Sequence, residues 1–330
     1  MSASKPLVSV VVPTYDRPER LRRAVESVRE QTYGNVELIV VDDCSSTPAE
    51  QVLSNFDIEG LGVRHIRHAE NRGANAARNN GIRAAGGEFV AFLDDDDEWA
   101  PTKIERQVRA FENGDPDVGV VYTGLRAVLQ DQTRTSISTT SGNITKEILV
   151  GESLATFSAV MVRAPVVEAA GLPDERFPSW QDREWYLRLS RYCRFEALPE
   201  PLTIRHKARR DGIAEDFKAK RDVSYPLFLS KHRSLAAEHG WLLERRFVAS
   251  RSESLGKAAV RNGYYADARK YLLRALVYYP FSVSCWKYLL AVLGGEYTYR
   301  SARKARQVVR ALIPNCIAIA VVATVAQPDG

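Results

Sequence analysis

The sequence is poor in cysteine and has no long uninterrupted apolar run. Its 330 residues include four cysteines, at positions 44, 193, 285 and 316, and no two of them have the C-x-x-C spacing of a zinc or redox site. This usage argues against a disulfide framework and indicates a reducing compartment. The N-terminal apolar run is too short for a secretory signal peptide, and we predict that it forms the first strand.

Two common nucleotide-binding motifs are also missing. The chain has neither a G-x-G-x-x-G fingerprint nor a G-x-x-x-x-G-K-[ST] loop, which argues against a dinucleotide-binding domain and against a P-loop enzyme. An apolar fraction of 45% and a charged fraction of 26% are typical of a folded soluble protein. The length allows one large domain or two ordinary ones.

Charge is distributed unevenly along the chain. Residues 1–202 carry 23 basic and 31 acidic side chains, a net charge of −8, whereas residues 203–310 carry 23 basic and 9 acidic side chains, a net charge of +14. The basic part could bind nucleic acid, could bind an anionic membrane surface, or could be a solvated helical surface. The sequence leaves these interpretations open.

The first half of the chain alternates strand patterns with helical patterns. Strands are predicted at residues 7–12, 36–41, 63–66, 88–93 and 159–162, and helices at residues 17–31, 74–85 and 179–192. This order is typical of an α/β fold with a parallel sheet between helices, in which ligands bind beyond the carboxyl ends of the strands. Residues 125–150, rich in Ser and Thr, are predicted to form a loop or a weak hairpin.

After about residue 210 the pattern becomes wholly helical. Residues 252–293 have the spacing of a helical hairpin that resembles one tetratricopeptide unit. A basic stretch at residues 300–310 precedes a mostly apolar stretch at residues 311–326. Because a spanning helix needs about 20 apolar residues, this end favours an interfacial membrane anchor, with a helix docked on the core as the alternative.

Polar clusters follow three of the predicted strands. They are Thr14-Tyr15-Asp16, Asp42-Asp43 and Asp94–Asp97, and in a parallel sheet they would meet in one crevice. In an extended chain Asp94 and Asp96 point to the same side. Paired carboxylates suit a hard cation such as Mg²⁺ or Mn²⁺; a solvated charge run at the end of the strand is the alternative.

Four blocks of sequence together resemble the family 2 glycosyltransferases. They are SVVVPTYDRPERLRRAVESVREQTYGNVELIVVDDCSS, NRGANAARNNGI, GEFVAFLDDDDEWAP and SWQDREWYLRL. The resemblance covers about residues 7–205. It implies a GT-A fold, a Rossmann-like, mostly parallel sheet flanked by helices, fused to an acceptor-binding part. The helical pattern after residue 210 adds an all-helical C-terminal extension to this fold. It also implies transfer of a sugar from a nucleotide-sugar donor, most often a UDP-sugar.

The resemblance also assigns donor-binding positions. Asp43 corresponds to the residue that contacts the base, where a carboxylate can accept from a ring N–H. Arg72 and Arg78 would lie near the ribose or the diphosphate, and a guanidinium matches phosphate oxygens. The full implied set is Pro13, Thr14, Tyr15, Asp43, Arg72, Arg78 and Asp95.

The metal-binding positions follow from the same resemblance. Asp94 and Asp96 match the family's DxD motif for Mn²⁺ or Mg²⁺, with Asp95 or Asp97 as substitutes that the sequence does not exclude. His206 is a further candidate near the metal or the diphosphate, although a lone histidine in a basic stretch is more often solvated.

Asp182 corresponds to the general base that takes the proton from the acceptor hydroxyl. Ser179 and Asp182 also have the spacing of a capping box, which predicts a helix N-terminus there. The two roles are compatible because a helix N-terminus holds a carboxylate rigidly. The implied mechanism is a single displacement that inverts the anomeric carbon.

We therefore predict three regions: a GT-A catalytic domain at residues 1–210, a helical extension at 211–299 and a basic, apolar end at 300–330. The expected activity is inverting, metal-dependent transfer from a UDP-sugar to a glycan or lipid-linked acceptor at the cytoplasmic face of a membrane, with no nucleic-acid partner. A sugar nucleotidyltransferase is the alternative, although a Gly-rich loop after the first strand is missing. A non-enzymatic module that binds a membrane or nucleic acid is a further alternative.

Overall fold

The computed structural model describes residues 5–54, 61–129, 132–206 and 217–294. The chain divides into two compact units, residues 1–243 and residues 244–330. The predicted boundary at residue 210 and the predicted basic and apolar segments at 300–310 and 311–326 lie outside the described residues. No helix of the described part combines the length and the apolar character needed to cross a bilayer.

A nine-stranded sheet forms the centre of the first unit. Its order is β3-β2-β1-β4-β8-β6-β9-β5, with β7 paired to β6. The strands are β1 Val8–Thr14, β2 Val36–Asp42, β3 Gly62–Arg67, β4 Phe89–Phe92, β5 Asp97–Trp99, β6 Val118–Leu129, β7 Gln132–Ser136, β8 Val160–Arg163 and β9 Arg194–His206.

The first four strands are parallel and confirm the predicted repetition of strand and helix. All seven residues of β1 are buried, as expected of a strand covered on both faces. The parallel order brings the carboxyl ends of β1, β2 and β4 to one edge of the sheet. The polar clusters that follow these strands therefore lie near each other.

Beyond β4 the sheet is mixed. Strand β8 is antiparallel to both β4 and β6, β5 is antiparallel to β9, and β6 is parallel to β9. The predicted loop or weak hairpin at 125–150 contains the end of β6, its hairpin partner β7 and a short helix. Because β9 is 13 residues long, it reaches β5 and the end of the aspartate run.

The first unit contains several α-helices. They are α1 Pro18–Arg29, α2 Ala49–Leu53, α3 Ala74–Ala84, α4 Lys103–Asn113, α5 Thr145–Leu149, α6 Ala164–Ala170, α7 Gln181–Leu189, α8 Phe217–Ala219 and α9 Tyr225–Glu238. Helix α3 lies close to β1, because a Cβ on Gly81 would meet the Val11 side chain. This packing brings the first turns of α3 to the edge where β1 and β2 end.

The described part of the C-terminal region is helical, as predicted. Helix α10 spans Trp241–Arg261, α11 spans Tyr265–Tyr278 and α12 spans Val283–Val292. The hydroxyl of Ser282 caps α12 by accepting from the backbone N–H of Cys285. Gly256 allows α10 to approach α11, since a Cβ there would lie 2.8 Å from Cγ of Leu272.

Candidate active site

A cleft of about 430 Å³ opens at the carboxyl ends of β1, β2 and β4. Each of these strands contributes the polar residues that end or follow it, and residues of α3, α7 and β9 form the rest of the lining. The lining includes Pro13, Thr14, Tyr15, Arg17, Asp43, Arg78, Asp94, Asp95, Asp96, Gln181 and Arg205. Most of the predicted donor-binding and metal-binding residues are therefore brought together, although they are far apart in the sequence.

Three carboxylates form a cluster beside the cleft, and two of them, Asp94 and Asp96, line it. Asp94, Asp96 and Asp97 each offer an oxygen within 4.8 Å of the others. The chain turns at this point, and the backbone N–H of Asp97 donates to the carbonyl of Asp94 over 3.0 Å. Because of the turn, Asp97 joins the pair that strand alternation predicts. The donor set is all oxygen, which suits Mg²⁺ or Mn²⁺.

Asp97 is the most buried member of the cluster, with no exposed surface. Its Oδ1 accepts from Nε of Arg205 over 3.3 Å, and its Oδ2 has no hydrogen-bond partner among the described residues. Burial raises the pKa of Asp97 to about 7, the Arg205 charge opposes the rise, and the charge of Asp94 adds to it. A buried carboxylate oxygen without a donor fits a cation, so the residues present are suited to a divalent metal.

Asp95 points away from the cluster and holds the loop after β1. Its Oδ2 accepts from the hydroxyl of Thr14 and its Oδ1 from Nη1 of Arg17, each over 2.9 Å. Burial raises the pKa of Asp95, and Arg17 opposes that rise. Asp95 therefore ties the end of β4 to the end of β1.

Arg78 joins the cluster to two walls of the cleft. Its Nη2 donates to Oδ1 of Asp94 over 2.5 Å, and its Nη1 lies 3.4 Å from Oε1 of Gln181 on α7. The guanidinium lies over the ring of Phe157, 4.1 Å from the centroid. Arg78 is buried, so its charge acts in the interior of the cleft.

Asp43 also lines the cleft and directly follows β2. Its Oδ1 accepts from the backbone N–H of Arg72 over 2.8 Å, and its Oδ2 accepts from the backbone N–H of Gly73 over 2.7 Å. The side chain of Arg72 instead pairs with Glu175 over 3.5 Å and does not line the cleft. In this structure Arg72 contributes its main chain to the site.

Asp182 is half-buried in the first turn of α7, and its Oδ1 accepts from the backbone N–H of Arg183. The predicted capping box is wrong: α7 begins after Trp180, which has φ 62° and no side-chain cap. The charges of Asp182 and Asp94 both raise the pKa of the buried Tyr186 hydroxyl, after burial itself. Asp182 itself does not line the cleft, whereas the preceding residue Gln181 does.

The comparisons with known proteins agree with this geometry. Residues 9–161, which span β1 to β8, match the family model described as glycosyl transferase family 2. Residues 9–161 form a domain of glycosyltransferase family 2. The matched region includes Asp43, Arg78 and the acidic cluster of this glycosyltransferase, and it ends before Asp182.

A relative of this glycosyltransferase is TuaG of Bacillus subtilis, named for teichuronic acid biosynthesis. The two are 35% identical over 133 residues, which is 40% of this chain and 52% of TuaG. The chain therefore spans about half the length of that relative.

Solved structures share the fold of this glycosyltransferase. Staphylococcus aureus TarS 1–349 in complex with UDP-GlcNAc is 16% identical with a TM-score of 0.55, over 83% of this chain and 89% of TarS. The mannosyltransferase of Pyrobaculum calidifontis in complex with GDP-Man and Mn²⁺ is 19% identical with a TM-score of 0.54, over 87% of this chain and 86% of that chain. The likeness confirms the predicted GT-A fold.

His206 is not brought into the acidic cluster of this glycosyltransferase. Its Nε2 lies 2.7 Å from Oε1 of Glu98. Strand β9 explains the placement, because neighbouring residues of a strand face opposite sides of a sheet. Arg205 pairs in register with Asp97 and lines the cleft, so His206 faces away from it.

Two cations of the cleft were not predicted from the sequence. Arg17 lies 4.0 Å from Asp96, in addition to its contact with Asp95. Arg205 reaches the cluster only because β9 pairs with β5, and this pairing joins residues far apart in the chain. Arg17 could have been found from its place directly after the polar cluster at the end of β1.

Proposed function

We propose that this protein is an inverting, metal-dependent glycosyltransferase that moves a sugar from a UDP-sugar to an acceptor hydroxyl. The observation that carries the proposal is the cluster of Asp94, Asp96 and Asp97, whose oxygens lie within 4.8 Å of one another. Asp94 and Asp96 of this cluster line one cleft together with Asp43 and with arginines that suit a diphosphate.

The proposed metal ligands are Asp94, Asp96 and Asp97. When bound, Mn²⁺ or Mg²⁺ would neutralise the negative charge of the donor's diphosphate and of the departing nucleoside diphosphate. The Mn²⁺ in the related mannosyltransferase structure supports this assignment. Oxygen donors alone favour these hard cations over zinc.

The arginines of the cleft would hold the diphosphate. Arg17 and Arg205 line the cleft beside the acidic cluster, and a guanidinium can donate two parallel hydrogen bonds to phosphate oxygens. Arg78 already donates to Asp94, so its proposed role is to orient that carboxylate. Arg72 would act through its backbone N–H on Asp43, not through its side chain.

Asp43 would recognise the base, with Pro13, Thr14 and Tyr15 beside it. A carboxylate accepts from a base that presents a ring N–H, as uracil and guanine both do. The UDP-GlcNAc and GDP-Man bound by the two structural neighbours each carry such a base. We propose UDP as the nucleotide.

Asp182 would be the general base. Its carboxylate would take the proton of the acceptor hydroxyl while that oxygen attacks the anomeric carbon from the side opposite the nucleoside diphosphate. A single displacement of this kind inverts the anomeric centre and needs no second carboxylate as a nucleophile. The position of Asp182 in the first turn of α7, directly after the cleft-lining Gln181, supports the role.

The proposed acceptor is a glycan or a lipid-linked glycan at the cytoplasmic face of a membrane. Support comes from the name of TuaG, which refers to teichuronic acid biosynthesis, and from the excess of basic residues after position 203. No nucleic-acid partner is proposed, because the cleft floor is acidic.

The experiment that tests the proposal is donor turnover by the full chain with Mn²⁺. Thermal-shift screening against UDP-sugars and GDP-sugars identifies the donor, and release of nucleoside diphosphate measures turnover. We expect Mn²⁺-dependent stabilisation by a UDP-sugar and release of UDP. Release of pyrophosphate from a nucleoside triphosphate, or no nucleotide binding at all, would refute the proposal.

A further inference from the structure

A buried histidine connects Asp43 to helix α3. His68 directly follows β3 and is 5% exposed. Its Nδ1 lies 2.7 Å from Oδ1 of Asp43, and its Nε2 lies 2.7 Å from Nδ2 of Asn80. Both ring nitrogens therefore have partners, and the ring bridges the end of β2 and α3.

The direction of these hydrogen bonds follows from the next residue along α3. Nη1 of Arg83 donates to Oδ1 of Asn80 over 2.8 Å. Because a guanidinium can only donate, the amide oxygen faces Arg83 and the amide NH₂ faces His68. Nε2 of His68 therefore accepts, Nδ1 has the proton, and His68 donates to Asp43.

The network leaves Asp43 with one vacant acceptor position. A carboxylate offers about four such positions. Oδ1 accepts from His68 and from the N–H of Arg72, and Oδ2 accepts from the N–H of Gly73. No further donor contacts Asp43 within the described ranges, so the fourth position, on Oδ2, is left for a ligand in the cleft that Asp43 lines.

We propose that His68 is a positioning residue for recognition of the nucleobase. His68 holds Asp43 so that the vacant position on Oδ2 accepts the ring N–H of uracil. This proposal rests on the proposed function of the cleft. With three donors already on its oxygens, Asp43 presents an acceptor position to the base. Cytosine or adenine would place an acceptor nitrogen against this oxygen and lose the hydrogen bond.

Binding of two probes to the full chain with Mn²⁺ tests this role. UDP engages the whole cleft, whereas inorganic pyrophosphate engages only the metal and the arginines. In His68→Leu we expect the Kd of UDP to rise about tenfold or more, since a hydrogen bond to a charged group is lost. The Kd of pyrophosphate should stay within about twofold, which a loss of overall structure would not allow.

Two further variants separate donation from packing and apply even if His68→Leu does not fold. His68→Asn places an amide N–H near the position of Nδ1, whereas His68→Gln places it near Nε2. We expect His68→Asn to keep most of the affinity for UDP and His68→Gln to lose it. Equal UDP affinities in these two variants, or unchanged UDP binding in His68→Leu, would overturn the role of His68. Failure of the unaltered protein to bind UDP would instead overturn the proposed function.

Discussion

Asp97 and Arg205 are direct partners across the antiparallel pair of β5 and β9, and Nε of Arg205 lies 3.3 Å from Oδ1 of Asp97. The carboxyl group of Asp97 is buried, so the guanidinium is the cation that partly offsets its desolvation. Oδ2 of Asp97 has no hydrogen-bond partner among the described residues, and one oxygen of this carboxylate lies within 4.8 Å of an oxygen of Asp94 and of Asp96. Strand β9 thus supplies Arg205, the cation that pairs with Asp97 of the acidic cluster.

Loss of the negative charge of one proposed ligand should weaken metal binding. In Asp97→Asn we expect Mn²⁺ affinity to fall by about tenfold or more, since even residues that only orient ligands cost that much. Isothermal titration with Mn²⁺ and UDP measures it. Asp117→Asn, an exposed change outside the cleft, is the control and should bind as the unaltered protein does. Equal affinity in both variants would remove Asp97 from the ligand set.

Loss of the proposed base should strongly reduce sugar transfer and leave the affinity for the donor nucleotide largely unchanged. In Asp182→Asn we expect turnover to fall by about 10²- to 10⁴-fold, because a positioned base contributes that much. The Kd of UDP should change little, since Asp182 does not line the cleft that contains Asp43. Single-turnover transfer together with UDP titration separates the two effects. Near-normal turnover in this variant would exclude Asp182 as the base.

The strands that position the cleft could be predicted because they are short apolar runs that end in polar clusters. Strand β9 could not, since Pro199 and Pro201 break its pattern and proline usually marks a strand edge. The structure accommodates them where the register between β6 and β9 shifts, between the pairs Thr123–Leu198 and Leu125–Thr203. The mixed half of the sheet depends on such long-range pairing.

The same limit applies to the site. Asp43, Asp94 and Asp96 could be predicted because each follows an apolar strand in the sequence. Arg205 could not, because its contact with Asp97 requires β9 to pair with β5, and the sequence drew attention to the neighbouring His206 instead. Neighbouring residues of a strand face opposite sides of the sheet, so a candidate chosen one residue away lies on the wrong side. The role of Asp97 depends on the turn at Asp94–Asp97, which the residue pattern does not predict.

Removal of residues 300–330 should reduce membrane binding. The stretch 300–310 has five basic residues and no acidic one, and each basic residue near an anionic surface contributes about 1 kcal/mol. We expect the truncated protein to leave the pellet when it is sedimented with vesicles that contain phosphatidylserine. Neutral phosphatidylcholine vesicles give the baseline. Unchanged sedimentation with anionic vesicles would contradict the proposed contact.

A side chain at Gly87 should destabilise the junction of β1 and β4. A Cβ there would lie 2.7 Å from the carbonyl oxygen of Leu7 and 2.8 Å from the backbone nitrogen of Ser9, which cannot move aside easily. We expect Gly87→Ala to lower the free energy of unfolding by about 1–3 kcal/mol. Gly34→Ala has no atom within 4 Å of its Cβ and serves as the control in urea unfolding. Equal midpoints would contradict the close contact.

Glu184 should make stability depend on pH. It is fully buried on α7, with Oε1 2.7 Å from Nζ of Lys231 and 3.2 Å from Nε2 of His232 on α9, and 3.0 Å from Nε of Arg188. Burial opposes ionisation, but the hydrogen bonds from His232 and Arg188 prevail and lower the pKa of Glu184 from 4.5 to about 2. Because the folded pKa is the lower one, the stabilisation is complete above about pH 4.5 and is lost as the pH falls toward 2.

The variant Glu184→Gln tests this relation. A shift of this size corresponds to about 3 kcal/mol, and an uncompensated buried cation adds to the loss, so we expect the free energy of unfolding near pH 7 to fall by about 3–5 kcal/mol. The stability curve of the variant should also be flatter between pH 4.5 and pH 3, where the unaltered protein loses the contribution of Glu184. Urea unfolding at several pH values measures both effects, with the exposed change Glu112→Gln as the control. Parallel pH curves for Glu184→Gln and the unaltered protein would show that this carboxylate does not couple α7 and α9 through its charge.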